Sequence, residues 1–253
     1  GGAIHIKVSG TLTLGGTISA NGQDGVGGEQ GGGSGGSLWV EAQKLAGNGV
    51  MLARGGAGQG SGGGGGGGRI AVYYKDGSDY TGFRACSASG GAGGGAGAVG
   101  SVVFIDTSLE NWHLQVFENV VWSEGSNLHF GLVTIDDGAE WVMGGGSVLK
   151  VDGLLKISGA STVWCYGKDR AAAVGGRWVG VGVTIEAGQV EVGEGSRITA
   201  DGQGYLGGEA GSIGATGRGP GGGGADIYHG AGGGYGGAGG TAQAGGTYGS
   251  EVE

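Results

Sequence analysis

Apolar side chains alternate with small or polar ones at the start of the chain. A period of two residues is typical of a β-strand with one buried face. Glycines at positions 10, 15 and 16 interrupt the alternation and indicate turns. The same pattern returns at 38–40, 70–72 and 102–105. The alternating apolar residues of the first segment are Ile4, Ile6, Val8, Leu12, Leu14 and Ile18.

Short strands separated by frequent turns predict an all-β protein, because no segment carries a convincing helical period. A β-solenoid, a barrel and a sandwich all fit this spacing. A recurring strand ending favours a parallel, β-helix-like solenoid in which equivalent turns stack on one another. In the denser middle region a small β-sandwich remains as a second alternative.

The strand ending is a five-residue motif with Ala at its third position and Gly at its fifth, counted from residues 18, 51, 86 and 198. Residues 17–23 (TISANGQ) recur as 197–203 (RITADGQ), and weaker copies lie at 51–55 and 86–90. Each copy leads into a glycine-rich stretch, which favours repeated structural units over chance. The shared positions are Ile18, Ala20 and Gly22, then Ala53 and Gly55, then Ala88 and Gly90, and finally Ile198, Ala200 and Gly202.

Glycine dominates the composition, with 75 glycines and a single proline in 253 residues. So much glycine is typical of disordered chains, but only 14% of the residues are charged and 38% are hydrophobic, which favours an ordered protein. The long glycine runs could be mobile surface loops. Alternatively, they could be polyglycine-II segments packed side by side, since only glycine lets backbones approach so closely. The runs lie at 25–36, 55–68, 90–100, 207–224 and 230–240.

Local differences in glycine and apolar content divide the chain into three regions. Residues 1–110 form a glycine-rich β repeat region, and 181–253 form a second one. Residues 111–180 contain more apolar residues and few glycine runs, so we expect this middle region to be packed most densely.

Charge and motif content narrow the function. A net charge of −9 argues against nucleic acid as a partner, because phosphate binding needs clustered Lys and Arg. No apolar stretch approaches the ~20 residues of a membrane span. No motif indicates a catalytic, cofactor or metal site, and the carboxylates of Glu186 and Glu191 on a predicted strand do not by themselves mark a cleft. We expect a protein that is not an enzyme and has no cofactor.

Two cysteines, Cys86 and Cys165, are the only ones in the chain. They could form a disulfide in an oxidising compartment or remain as two buried thiols, and the sequence leaves both alternatives open.

The segments 2–12, 16–22, 32–40 and 66–74 together resemble glycine-rich modules that are repeated many times in very large secreted or surface proteins of microbes. The resemblance covers residues 1–105 and 183–253, and residues 246–250 are similar to the boundary before a next module. It implies an extracellular or cell-surface location and a structural role.

We therefore expect the repeat unit of a filament or surface fibre that associates head-to-tail with itself or occurs as tandem copies in a longer chain. The alternative is an adhesin or carbohydrate-binding surface module with glycine-rich recognition loops. In that case exposed aromatic rings would stack on glycans, although a buried position is the commoner fate of such rings. The aromatic candidates are Trp39, Tyr73, Tyr74, Trp112, Trp122 and Trp178.

Overall fold

The computed structural model describes residues 1–209, 216–224 and 230–240. Regular structure in these ranges is almost entirely β-strand, and the only helix within them is the single 3-10 turn Phe83–Ala85. None of the described helical residues forms a segment long and apolar enough to cross a membrane. The all-β prediction is confirmed. The expected module boundary at 246–250 and part of the glycine run at 207–224 lie outside the described residues.

The described residues 1–110 contain seven strands. They are β1 (Ala3–Leu14), β2 (Thr17–Ser19), β3 (Ser37–Gly47), β4 (Val50–Leu52), β5 (Arg69–Tyr74), β6 (Asp76–Tyr80) and β7 (Ser101–Asp106).

Strands in the second half follow one another at shorter intervals. They are β8 (His113–Val116), β9 (Val120–Trp122), β10 (Asn127–Phe130), β11 (Leu132–Ile135), β12 (Glu140–Met143), β13 (Val148–Ile157), β14 (Thr162–Cys165), β15 (Thr184–Val192) and β16 (Arg197–Thr199).

Most of these strands pair in parallel, each with a strand one repeat further along the chain. A ten-stranded sheet runs β1-β3-β5-β7-β8-β11-β13-β10, with β15 on β13 and β6 on β3. A second sheet has the order β16-β14-β12-β9, and β2 pairs with β4. The registers align apolar positions into ladders, such as Ile4, Leu38, Ile70 and Val102 across four strands.

The ten-stranded sheet is nevertheless mixed, because β7 and β8 are antiparallel. This differs from the parallel pairing expected throughout. The residues 107–112 between the two strands are too few for a parallel crossover, which needs a dozen or more. They form a reversing turn in which Asn111 and Trp112 adopt left-handed conformations, with φ of 55° and 59°.

Two apolar clusters form the interior. The first includes Leu38, Val72 and Phe104 between the early strands, and the second surrounds Trp141, Leu149 and Leu155. All six side chains are at most 2% exposed. The clusters meet at the antiparallel pair, where β7 contributes Phe104 to the first cluster and Ile105 to the second.

Candidate functional surfaces

Three glycine loops project from the first sheet at 20–36, 53–68 and 88–100, and each has an outgoing and a returning arm. Equivalent arms hydrogen-bond to each other through their backbones. Along the outgoing arms, Gly22 N–H donates to Arg54 O at 2.7 Å and Gly55 N–H donates to Ser89 O at 2.9 Å. Along the returning arms, Gly64 N–H donates to Gly95 O at 2.8 Å. Each of the first two loops is therefore hydrogen-bonded to the loop that follows it in the sequence.

Outgoing and returning arms are also joined to each other, both within one loop and between neighbouring loops. Gly65 N–H donates to Gly56 O at 2.9 Å within the second loop, and Gly91 N–H donates to Gly65 O at 2.8 Å from the third. In the run 62–68, the backbone donors are residues 62, 64, 65, 67 and 68, so every third residue is left out. A chain with three residues per turn has this pattern of donors.

The room available for a Cβ atom at each glycine of this run follows the same period of three residues. A Cβ on Gly65 would lie far inside van der Waals distance of the Gly33 carbonyl oxygen, whereas a Cβ on Gly66 would meet nothing closer than Ala98 O at 3.9 Å. Two neighbouring glycines of one run therefore differ: one is required by close backbone packing and the other faces outward.

The structure brings three of the four repeat-motif copies together. Ile18 pairs with Met51, and the following bridge joins Leu52 to Ser87, so the copies at 17–23, 51–55 and 86–90 are neighbours. Ala20, Ala53 and Ala88 are buried in the first cluster. Gly22 and Gly55 donate the inter-loop hydrogen bonds described above, and Gly90 lies in the outgoing arm of the third loop.

The fourth copy lies apart from the other three. Ile198 pairs with Val163 in the second sheet, and Ala200 and Gly202 are exposed. Its strand β16 has one neighbour among the described strands, as does β2, the strand of the first copy. The two strong copies therefore lie at edges of different sheets.

Glu118 occupies the end of the stack formed by the three adjacent copies. Its carboxylate accepts the backbone N–H of Ala88 at 2.6 Å and the hydroxyl of Ser87 at 3.0 Å. Burial raises the pKa of Glu118, and these two hydrogen bonds offset only part of that effect.

Two long strands leave an edge without a described neighbour: β1, which pairs only with β3, and β15, which pairs only with β13. Three apolar residues of the β15–β16 edge are exposed, Val190 by 46%, Val192 by 48% and Ile198 by 38%, whereas Ile185 and Ala187 of β15 are half-buried against the second cluster. The partners of the three exposed residues on the inner strands, Leu155, Ile157 and Val163, are fully buried. Unpaired strand edges are pairing surfaces for another chain.

The two edge strands carry charged side chains of opposite sign, and those of β1 contact Glu41 on the neighbouring strand β3. Strand β1 contains His5 and Lys7 and no acidic residue, whereas β15 contains Glu186 and Glu191 and no basic residue. Ile4 and Ile6 of β1 are half-buried and pack on the first cluster.

Both cysteines are free thiols, so the disulfide between them is not formed in this structure. Cys86 is buried in the first cluster, where its sulfur accepts the Met51 N–H at 3.3 Å, and Cys165 packs against the second cluster. Burial raises the pKa of both thiols.

A row of aromatic rings crosses the outer face of the first sheet. Trp39 and Tyr73 stack with centroids 5.5 Å apart and an interplanar angle of 22°, and Trp112 meets Tyr73 edge-on at 6.3 Å. Trp39 is 50% exposed and Trp112 is 47% exposed, in contrast to the fully buried Trp141. Of the other aromatic candidates, Tyr74 is buried, Trp122 packs on the second cluster and Trp178 contacts Tyr205.

The aromatic row borders a groove of about 790 Å³ whose lining includes Lys7, Glu41, Gln43, Tyr73, Lys75 and Trp112. Glu41 receives His5 Nε2 at 3.0 Å and Lys7 Nζ at 3.2 Å, and these contacts lower its pKa. Lys75 Nζ has no carboxylate within ion-pair distance among the described residues, and its backbone N–H donates to Gln43 O at 3.1 Å.

The sequence analysis named the groove rings Trp39, Tyr73 and Trp112 among the aromatic candidates, but it singled out neither the charged residues beside them nor Glu118. The sequence does contain a signal for the groove. Ring-bearing residues recur at 5, 39 and 73, and charged residues recur at 7, 41 and 75, at a spacing close to that of the repeated motif. Glu118 carries no such signal, since its partners lie about thirty residues earlier in an unrelated segment.

Within the described ranges, no group of three or more His, Cys, Asp or Glu side chains could hold a metal ion. In comparisons with known proteins, no family model, curated protein or solved structure matches the chain.

Proposed function

We propose that this chain is a structural building block of an extracellular or cell-surface fibre, assembled head-to-tail through its β1 and β15 edges. The observation that carries the proposal is the opposite charge of these two edges, combined with exposed apolar residues at one of them. The extracellular location depends on the resemblance to repeated modules of secreted and surface proteins.

The proposed architecture is a β-solenoid whose successive coils carry polyglycine-II arms. Parallel registers that align Ile4, Leu38, Ile70 and Val102 support stacked coils in the first region. The period of three in the donors of residues 62–68 supports polyglycine-II geometry. The antiparallel β7–β8 pair would be the point where the winding of the chain reverses.

Head-to-tail contact follows from the two edges. In the register that aligns Ile185 with Ile6 of a second copy, Glu186 lies beside Lys7. Pairing of β1 with β1, or of β15 with β15, would instead place like charges side by side, which is destabilising. A contact between two different edges is heterologous, and it extends into a fibre where the rotation between successive copies does not close a ring.

Charge exchange tests this contact. Glu186→Lys and Lys7→Glu each place like charges at the interface, so each variant alone should remain monomeric in sedimentation velocity at concentrations where the unmodified chain associates. A mixture of the two variants should associate again with the variants alternating, because both kinds of contact between unlike variants bring opposite charges together.

Val190→Lys should also abolish association, because it places a charge in the apolar part of the edge. Val121→Lys is the matched control, since Val121 is 72% exposed and lies on β9, which takes no part in the proposed β1–β15 contact. An unmodified chain that stays monomeric at every concentration, or a mixture that fails to associate, contradicts the proposal.

A further inference from the structure

We propose that the groove beside Trp39, Tyr73 and Trp112 binds a polysaccharide that carries carboxylate groups. This site lies on the outer face of the first sheet; it shares Lys7 with the β1 edge, whereas Trp112 and Lys75, the residues tested below, belong to neither β1 nor β15. Three observations support it: the exposed aromatic row, the polar groups along it and the sign of the charge in the groove.

The rings have the character of a sugar-binding platform. A sugar ring has an apolar face of C–H groups and a polar edge of hydroxyls, so its binding needs aromatic surface next to hydrogen-bonding groups. The two most exposed rings, Trp39 and Trp112, lie at opposite ends of the row, with Tyr73 between them. Tyr73 contacts both, so the rings are held in place before a ligand arrives.

Hydrogen-bonding groups lie along the same surface. Ser9, Gln43 and Lys75 line the groove, and none of their side chains has a hydrogen-bond partner among the described residues. The groove volume of about 790 Å³ is within the ordinary range for ligand sites.

The charge of the groove favours an anionic ligand. Lys7 and Lys75 are both in the lining, while Glu41 is its one carboxylate and is already paired with His5 and Lys7. This local excess of positive charge contrasts with the net charge of −9 of the whole chain. A carboxylate on the sugar would pair with the Lys75 ammonium while the sugar ring contacts the indoles.

Single-stranded nucleic acid is the competing anionic ligand with stackable rings. Such ligands need a positively charged track that follows many phosphates, and two lysines do not supply it. We therefore favour the acidic polysaccharide, and nucleic acid becomes an outcome of the test.

The experiment is titration calorimetry of the full chain with a short oligogalacturonate, a neutral cello-oligosaccharide of equal length and a single-stranded oligonucleotide, with tryptophan fluorescence recorded in parallel. We expect binding of the oligogalacturonate, weakened by added salt, together with a change in tryptophan emission. Lys75→Gln should reduce its affinity about tenfold, because a charge-assisted hydrogen bond is lost.

Trp112→Ala should also reduce the affinity about tenfold or more. Tyr235→Ala is the control, since Tyr235 is an exposed ring outside this groove. Lys75→Gln alters only a surface charge, so it tests the site even if a tryptophan variant fails to fold. No binding of the acidic oligosaccharide, equal binding of the neutral one, tighter binding of the oligonucleotide or an unchanged affinity of Lys75→Gln would each overturn the proposal.

Discussion

The Glu118 carboxylate accepts the backbone N–H of Ala88 at 2.6 Å. In the preceding repeat, the equivalent N–H of Ala53 donates to the carbonyl of Ser87 at 2.8 Å. Glu118 therefore takes the place of the backbone that a further repeat would supply. A side chain of the middle region, 111–180, therefore ends the stack of motif copies in residues 1–110. This buried polar contact connects the two regions.

Removing this cap should destabilise the protein. Glu118→Ala leaves the Ala88 N–H and the Ser87 hydroxyl without their acceptor, and a buried unsatisfied polar group costs about 1–3 kcal/mol. We expect urea denaturation to show a loss of about 2 kcal/mol in the free energy of unfolding. Glu110→Ala, at an exposed carboxylate, should stay within about 0.5 kcal/mol of the unmodified chain. Equal effects of the two variants would contradict the role of Glu118.

The raised pKa of Glu118 also predicts a pH dependence. The folded state holds the proton more tightly than the unfolded state, so the stability that this group contributes is present below its ordinary pKa of 4.5 and is lost as the pH rises through the raised pKa. Glu118→Gln removes this titration. The difference in unfolding free energy between the unmodified chain and Glu118→Gln should therefore fall with rising pH across that window and then level off. A difference that does not vary with pH would contradict this assignment.

The glycine arms provide a matched pair of substitutions. Gly65→Ala forces a Cβ against the Gly33 carbonyl, and overpacking of this kind costs about 1–3 kcal/mol. Gly66→Ala places its methyl group outward and should leave the free energy of unfolding nearly unchanged. Thermal denaturation followed by circular dichroism measures both. If the two variants melt together, the arms are not packed as the structure shows.

The thiols should react slowly in the native state. Burial raises the pKa of Cys86 and Cys165, which lowers the fraction of reactive thiolate. Mass spectrometry after iodoacetamide treatment should show two free thiols after unfolding, with Cys165 alkylated faster than Cys86 in the folded protein, since Cys86 is only 4% exposed and Cys165 is half-buried. A species that resists alkylation until a reductant is added would indicate a disulfide.

The sequence predicts the β-strands well because their signal is local. The alternation of Ile4, Ile6 and Val8 is enough to place β1 and its buried face. The adjacency of the motif copies at Ala20, Ala53 and Ala88 was also accessible, since repeats with a common spacing stack on one another. These features depend on short segments and their period.

Other features depend on contacts between distant segments, which a single sequence does not reveal. The antiparallel return at β8 depends on the short turn containing Asn111 and Trp112, and the strand pattern of β8 is equally compatible with parallel pairing. The groove requires Trp112 from this turn to approach Tyr73 on β5. Aromatic candidates could be named from the sequence, but the division into exposed Trp39 and buried Tyr74 follows from tertiary packing.

Amide hydrogen exchange across the run 62–68, followed residue by residue by NMR, tests the central claim that the glycine segments are ordered by their backbone hydrogen bonds. The donors Gly62, Gly64, Gly65, Gly67 and Gly68 should be protected, whereas Gly63 and Gly66 should exchange rapidly. Two slow amides followed by one fast amide, in a row of chemically identical residues, is the predicted result. Rapid exchange of all seven amides would contradict the account.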